Sequence, residues 1–383
     1  MDPGSAPQLS RGAGGGSPRL DLFRIAETLL IGAVGGIIFN AVRFPAGWLA
    51  GAMVFCAGAA LLGRPLALPR SVARTFSVVV GMALGSLITP AAIRGVGTWP
   101  ASIALVALAM VCVTIATVTY LRRVHRWDAM TALFAAYPGA LAQVMAHAAE
   151  EKCDLRAVAV VQMIRVVMLA VGIPAALAAF GLTKSIGPPA LKTVSLTAAP
   201  GEFAVLITGS VVVGLGLLRL GMPGGLLLGP MIVSAILHSS GLVSVALPGW
   251  VTIAGLIGVG SVGGSRFAGT PLRLVLSHLR VALGCFAISL CIAATFATLA
   301  SVIVSRPAAD IVIAYLPGAI DAMMALALAL HLDPIFVGAH HLARLFGLSF
   351  ALSFVVRSVR TRHGRESWRG ERSATKGGGP MRH

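Results

Sequence analysis

Two arginines lie inside long apolar runs, Arg165 in VVQMIRVVMLAV and Arg344 in HHLARLFGLSF. An arginine at the centre of a bilayer costs about 2.5–3.5 kcal/mol on insertion scales. Side chains that expensive face a protein interior or an aqueous cavity, and they pair with something. One turn earlier stand Gln162 and His341, and residues three apart share a helix face. Asp321 is the acid expected to neutralise Arg344. The first arginine has no such acid, because Ala142 occupies the matching place. A buried guanidinium without an acid suits an anionic ligand. The competing reading is that the arginines snorkel to an interface or cap backbone carbonyls.

A second feature recurs nearby. Tyr137-Pro138-Gly139-Ala140 and Leu316-Pro317-Gly318-Ala319 interrupt apolar runs, and each is followed by a polar residue, Gln143 and Asp321. Proline removes a backbone donor and clashes with the preceding turn, while glycine lets the chain leave helical geometry. Broken helices expose backbone amides and carbonyls that bind ions or charged substrate groups in transporters. A plain kink is the simpler reading of either break alone. Together these features nominate Pro138, Gly139, Gln143, Gln162, Arg165, Pro317, Gly318, Asp321, His341 and Arg344 as a substrate site.

Other chemistries find less support. His340 and His341 are adjacent and point about 100° apart on a helix, and no HExxH or H-x-H pattern occurs. No P-loop or nucleotide fingerprint is present, so no metal, cofactor or catalytic residue is assigned. Of the five cysteines, Cys56, Cys112, Cys285 and Cys291 sit in apolar runs. None forms a CxxC pair, so all five read as small buried hydrophobes. GMALGS (Gly81 to Ser86) and GSVGGS (Gly260 to Ser265) put small residues at helical spacing, as close helix packing requires.

The elements that must position these residues come in duplicate. Pro45 maps to Pro223 at an offset of 178, and Gly81, Pro138, Asp154 and Arg165 map to Gly260, Pro317, Asp333 and Arg344 at 179. The chain is 57% hydrophobic and only 11% charged. Continuous apolar runs must be helices in lipid, where backbone groups find no water. The expected fold is an all-α polytopic membrane protein of two homologous repeats. Each repeat has five or six apolar segments, giving about 10–12 spans.

The first repeat, 24–182, has segments near 24–41, 45–63, 72–92, 100–121, 128–148 and 157–181. The second, 202–357, has them near 202–219, 222–242, 249–265, 281–305, 310–331 and 335–357. A polar, glycine-rich start (1–23) is expected to be disordered, and the run after it, lacking a cleavage site, to be a retained helix. A linker (183–201) and a basic tail (358–383) complete the chain.

Twelve crossings would make the repeats parallel and leave Arg266, Arg273 and Arg280 outside. Re-entrant Pro-Gly segments would make the repeats inverted and bring those arginines inside, as the positive-inside rule favours. Both termini are then cytoplasmic, in a bacterial-type inner membrane. The net charge of +17 follows the same rule, and no nucleic-acid motif accompanies it. Expected partners are lipid and a small-molecule or ion substrate, and a homo-oligomer is compatible with this reading.

P-x-G-x-L-x-G-x-M in both halves, G-x-x-x-G-S, P-G-A-L/I and D-x-x-x-V-x-x-x-x-x-x-R resemble the AbrB-type duplicated membrane family across residues 24–357. This is not the small soluble DNA-binding fold of the same name. Labels in that family imply gene regulation or ammonia oxidation. Its P-G-G-L-x-E pattern is altered here, with Ala140 for the second glycine and Gln143 where an acid is expected. The leading reading is a transporter-like protein for a small anion or organic acid. A membrane-embedded regulator comes next, and a metal-dependent monooxygenase last.

Overall fold

The computed structural model describes residues 18–88, 95–139, 141–151, 153–182 and 199–347. All regular structure among them is helical. The first half carries α1 (Pro18–Ala41), α2 (Gly47–Leu61), α3 (Arg70–Ser86), α4 (Pro100–Val124), α5 (Ala129–Ala136), α6 (Leu141–Ala149) and α7 (Leu155–Ala179). The second carries α8 (Pro200–Arg219), α9 (Gly225–Ser239), α10 (Gly249–Ser265), α11 (Leu272–Ile303), α12 (Ala308–Tyr315), α13 (Ile320–Ala329) and α14 (334–347). Five helices, α1, α4, α7, α8 and α11, are long and apolar enough to cross a membrane. Four of these turn large apolar side chains outward, among them Leu30, Leu108, Val212 and Leu276. That is the face a lipid-embedded bundle presents, and it makes the protein an all-α polytopic membrane protein.

Several expected boundaries move. Helix α1 starts at Pro18, so Pro18–Phe23 are helical instead of irregular, while residues 1–17 lie outside the described part. Helix α11 starts at Leu272, so Arg273 and Arg280 stand on its first turns, not in a loop. The apolar segments expected at 128–148 and 310–331 are each two half-helices. The body of the linker (183–198) and the tail from 348 onward lie outside the described residues.

Chain direction can be read from long-range contacts. Tyr120 lies against Gly284, Trp127 meets His278 edge-on at 5.9 Å, and Trp99 shares a cleft with Ile303. Helices α4 and α11 therefore run antiparallel. The arginines that end α4 (Arg122, Arg123) gather at the same end of the bundle as Arg273 and Arg280 of α11.

The half-helices fold back on themselves. The Asp154 amide, at the exit of α6, donates to Thr131 Oγ1 on the first turn of α5 at 2.9 Å. The Asp333 amide, after α13, donates to Asp310 Oδ1 on the first turn of α12 at 3.1 Å. Each pair is thus a hairpin that enters and leaves at one end. Its arms of eight to ten residues reach about 12–15 Å, half of a bilayer core. The first hairpin starts beside Trp127 at the basic end, and the second starts beside Arg306 and Trp99 at the other.

Glycines set the contact between halves. A Cβ on Gly81 or Gly85 of α3 would strike the Leu227 or Met231 carbonyl of α9. A Cβ on Gly260 or Gly264 of α10 would strike the Leu49 or Met53 carbonyl of α2. These two contacts match residue for residue. They confirm close packing as the task of GMALGS and GSVGGS.

Candidate functional site

The site forms where the hairpin tips meet α7 and α14. Before each proline the chain turns extended, with φ −62° and ψ 122° at Tyr137 and φ −72° and ψ 139° at Leu316. That is the geometry a following proline enforces. The Gly139 amide then donates to the Tyr137 carbonyl at 3.0 Å, and the Gly318 amide to Leu316 at 2.9 Å. Neither glycine has positive φ. Each is needed for space, since a Cβ would meet the Tyr137 ring at 2.6 Å or Met323 Sδ at 2.5 Å.

The broken helix ends leave carbonyls without helical partners, and the polar residues of α7 and α14 take them. Gln162 Nε2 donates to the Phe134 and Tyr137 carbonyls at 2.8 and 3.2 Å. Its Oε1 accepts from Arg165 Nη2 at 2.9 Å, and the same Nη2 reaches the Tyr137 carbonyl at 3.4 Å. In the second half, His341 Nε2 donates to the Ile313 carbonyl at 3.1 Å. Arg344 Nη1 donates to Leu316 at 2.7 Å, and its Nη2 to Gly318. The one-turn spacing of Gln162 with Arg165 thus brings the pair together as read.

The pairing expected for Asp321 does not form. Arg344 spends its fork on carbonyls, and the charge that acts on Asp321 is that of Arg266 at the end of α10. Carbonyl capping accounts for part of both arginines, as the competing reading held. A remainder is left over. Arg165 is 6% exposed and Arg344 3%, and neither has an ion pair among the described residues. Arg344 lies within electrostatic reach of Arg165 and of Tyr137 at the first hairpin tip, so the two halves approach each other here. The Nε of each arginine and Nδ1 of His341 are buried with no hydrogen-bond partner among the described residues. Gln143 lies on α6, but its side chain falls outside the described part.

Several neighbours carried no local signal in the sequence. Cys285 of α11 lies near Arg165. His340 turns away from His341, its Nδ1 on the Phe336 carbonyl and its Nε2 on Ser102 Oγ, both at 2.8 Å. Arg306 pairs with Asp333 at 2.7 Å beneath Trp99 and Phe336. Asp154 and Asp333, matched motif positions in the sequence, each cap the N-terminus of the arginine helix, accepting two amides at 2.9–3.1 Å. Two clefts open at opposite ends of α11. One of about 370 Å³ involves Arg156, Met163 and Thr270, and one of about 380 Å³ involves Trp99 and Ile303–Arg306. No group of three His, Cys, Asp or Glu that could hold a metal occurs among the described residues.

A profile of the family described as transition state regulatory protein AbrB matches residues 48–360. The chain belongs to the AbrB family. A protein of Escherichia coli (strain K12) named "Putative regulator AbrB" is 28% identical over 337 residues, 84% of this chain and 92% of the relative. No solved structure matches. The AbrB profile spans both hairpins and both arginine helices, so the site described above lies wholly within the family's extent.

Proposed function

We propose that the protein carries a small anion or organic acid across the cytoplasmic membrane. It does so as two inverted repeats with ten crossing helices (α1–α4, α7–α11 and α14) and two re-entrant hairpins. One observation carries the reading: two buried guanidiniums lie within electrostatic reach of each other, and neither has an ion pair among the described residues. An anion bound there relieves their repulsion and uses the idle Nε donors. Pro138, Gly139, Gln143, Gln162, Pro317, Gly318, Asp321 and His341 surround that position as hairpin tip or helix partner.

Inversion is supported by the antiparallel course of α4 and α11, and by hairpins that enter from opposite ends. The clefts at the two ends of α11 are the candidate approaches from either side. With the arginine-rich end inward, the helix order leaves both termini cytoplasmic.

Proteoliposomes loaded against a panel of small anions test the transport reading. Uptake is expected with wild type and absent with Arg165→Leu, although the variant still inserts. Full uptake by the variant would defeat the anion site. Orientation has its own check, in a chain freed of native cysteines. Cysteine at Ser305 should react with an impermeant reagent added outside, and cysteine at Ser277 should not.

The names borne by the family and its relative favour a second reading, a membrane regulator of gene expression. Deleting residues 361–383 separates the two. A regulator acting through its basic tail loses function, whereas a carrier keeps its flux.

A further inference from the structure

The two halves treat the same position differently. Gln162 has both ends of its amide engaged, donating to two carbonyls and accepting from Arg165. His341 is engaged at one end. A ring nitrogen facing a carbonyl must carry the hydrogen, so Nε2 holds it against Ile313; the ring is fully buried one turn from a guanidinium, which disfavours a second proton, and Nδ1 is left as a lone-pair acceptor. That Nδ1 is fully buried and has no partner among the described residues. Arg344, one turn away, turns its two Nη atoms to Leu316 and Gly318 and makes no bond to it. Each half therefore leaves one cationic donor idle, Nε of Arg165 and Nε of Arg344, and the second half adds an idle acceptor one turn from Arg344.

We infer that the ligand is an oxyanion that also carries a hydrogen-bond donor: a hydroxy-carboxylate, or an acid that keeps one hydrogen. Its anionic oxygens take the arginine Nε hydrogens, and its hydroxyl or acid hydrogen goes to His341 Nδ1. This rests on the anion-carrier reading and narrows it. A plain carboxylate or a fully ionised oxyanion would set a lone pair against that of Nδ1. Sites built to bond a hydroxyl reject the analogue that lacks it, because the buried partner is left unpaired.

Isosteric pairs that differ by one donor test the inference on the purified full-length protein: lactate with propionate, malate with succinate, hydrogen phosphate with sulfate. Binding is read by titration calorimetry and by the shift in melting temperature. In at least one pair the donor-bearing member should bind about tenfold or more tightly. His341→Gln should fold, because the first half already uses glutamine at this place. Its oxygen should turn to the guanidinium as that of Gln162 does, bringing the preferred pair within about twofold. If it fails to accumulate, His341→Leu carries the same test.

Equal binding within every pair, with binding lost in Arg165→Leu, would overturn this inference and leave the anion site standing. Discrimination that survives the loss of His341 would overturn it too. An absence of binding and of flux for every anion would sink both readings.

Discussion

The halves solve one problem in two ways. Each has a Pro-Gly tip whose carbonyls lose helical partners, and each sends a polar pair from the following helix to receive them. In the first half the amide of Gln162 takes most of that work and also holds Arg165. In the second half Arg344 takes it, with two carbonyls on one guanidinium, and His341 holds a third. Arg344 is thus more firmly tied to its hairpin tip than Arg165, which reaches its carbonyl at only 3.4 Å. The two halves share the tip and differ at the residue one turn before the arginine, Gln162 against His341.

The largest test of this difference is a matched pair of arginine substitutions. Arg344→Leu strips the Gly318 carbonyl of its donor and leaves Leu316 only the Gly318 amide; hydrogen bonds to charged groups contribute about 1.5–3 kcal/mol each, so about 3–6 kcal/mol should be lost. Arg165→Leu should lose less than half as much, since Gln162 still covers Phe134 and Tyr137. Melting in detergent reads both. Equal losses would erase the distinction drawn between the halves.

Where the halves agree, effects should agree. Gly85→Ala and Gly264→Ala each drive a Cβ toward a carbonyl, Met231 or Met53. Both should cost about 1–3 kcal/mol, the usual toll of overpacking. A large inequality in melting temperature would mean that the two inter-half contacts are not equivalent.

The smallest effects concern the helix caps. Asp154→Ala removes two capping bonds at α7 and should cost about 1 kcal/mol. Asp333→Ala removes the same two at α14 together with the Arg306 ion pair, and should cost about 0.5–1 kcal/mol more. Chemical denaturation of both variants checks the difference. An identical cost would show that the Arg306 pair adds nothing.

Much of this was legible from the amino-acid order alone. Apolar length set the solvent and the helices, the constant offset exposed the two halves, and the insertion cost of Arg165 and Arg344 marked them as buried and engaged. The Pro-Gly pairs announced where two helices break, and the spacing of Gln162 with Arg165 announced a contact that forms.

The tertiary structure alone decided what those residues touch. Asp321 looked like the partner of Arg344 because acids are visible in a sequence, yet the guanidinium goes to the carbonyls of Leu316 and Gly318. Every residue carries a carbonyl, so an unsatisfied one leaves no mark on composition or spacing, and only the path of the chain shows which carbonyls a break has freed. The direction of each hairpin likewise hangs on two amide contacts, Asp154 to Thr131 and Asp333 to Asp310, both made across more than twenty residues by folding back. A local pattern can say that a helix stops. Whether the next one continues or returns depends on which long-range partner takes the amide at its far end.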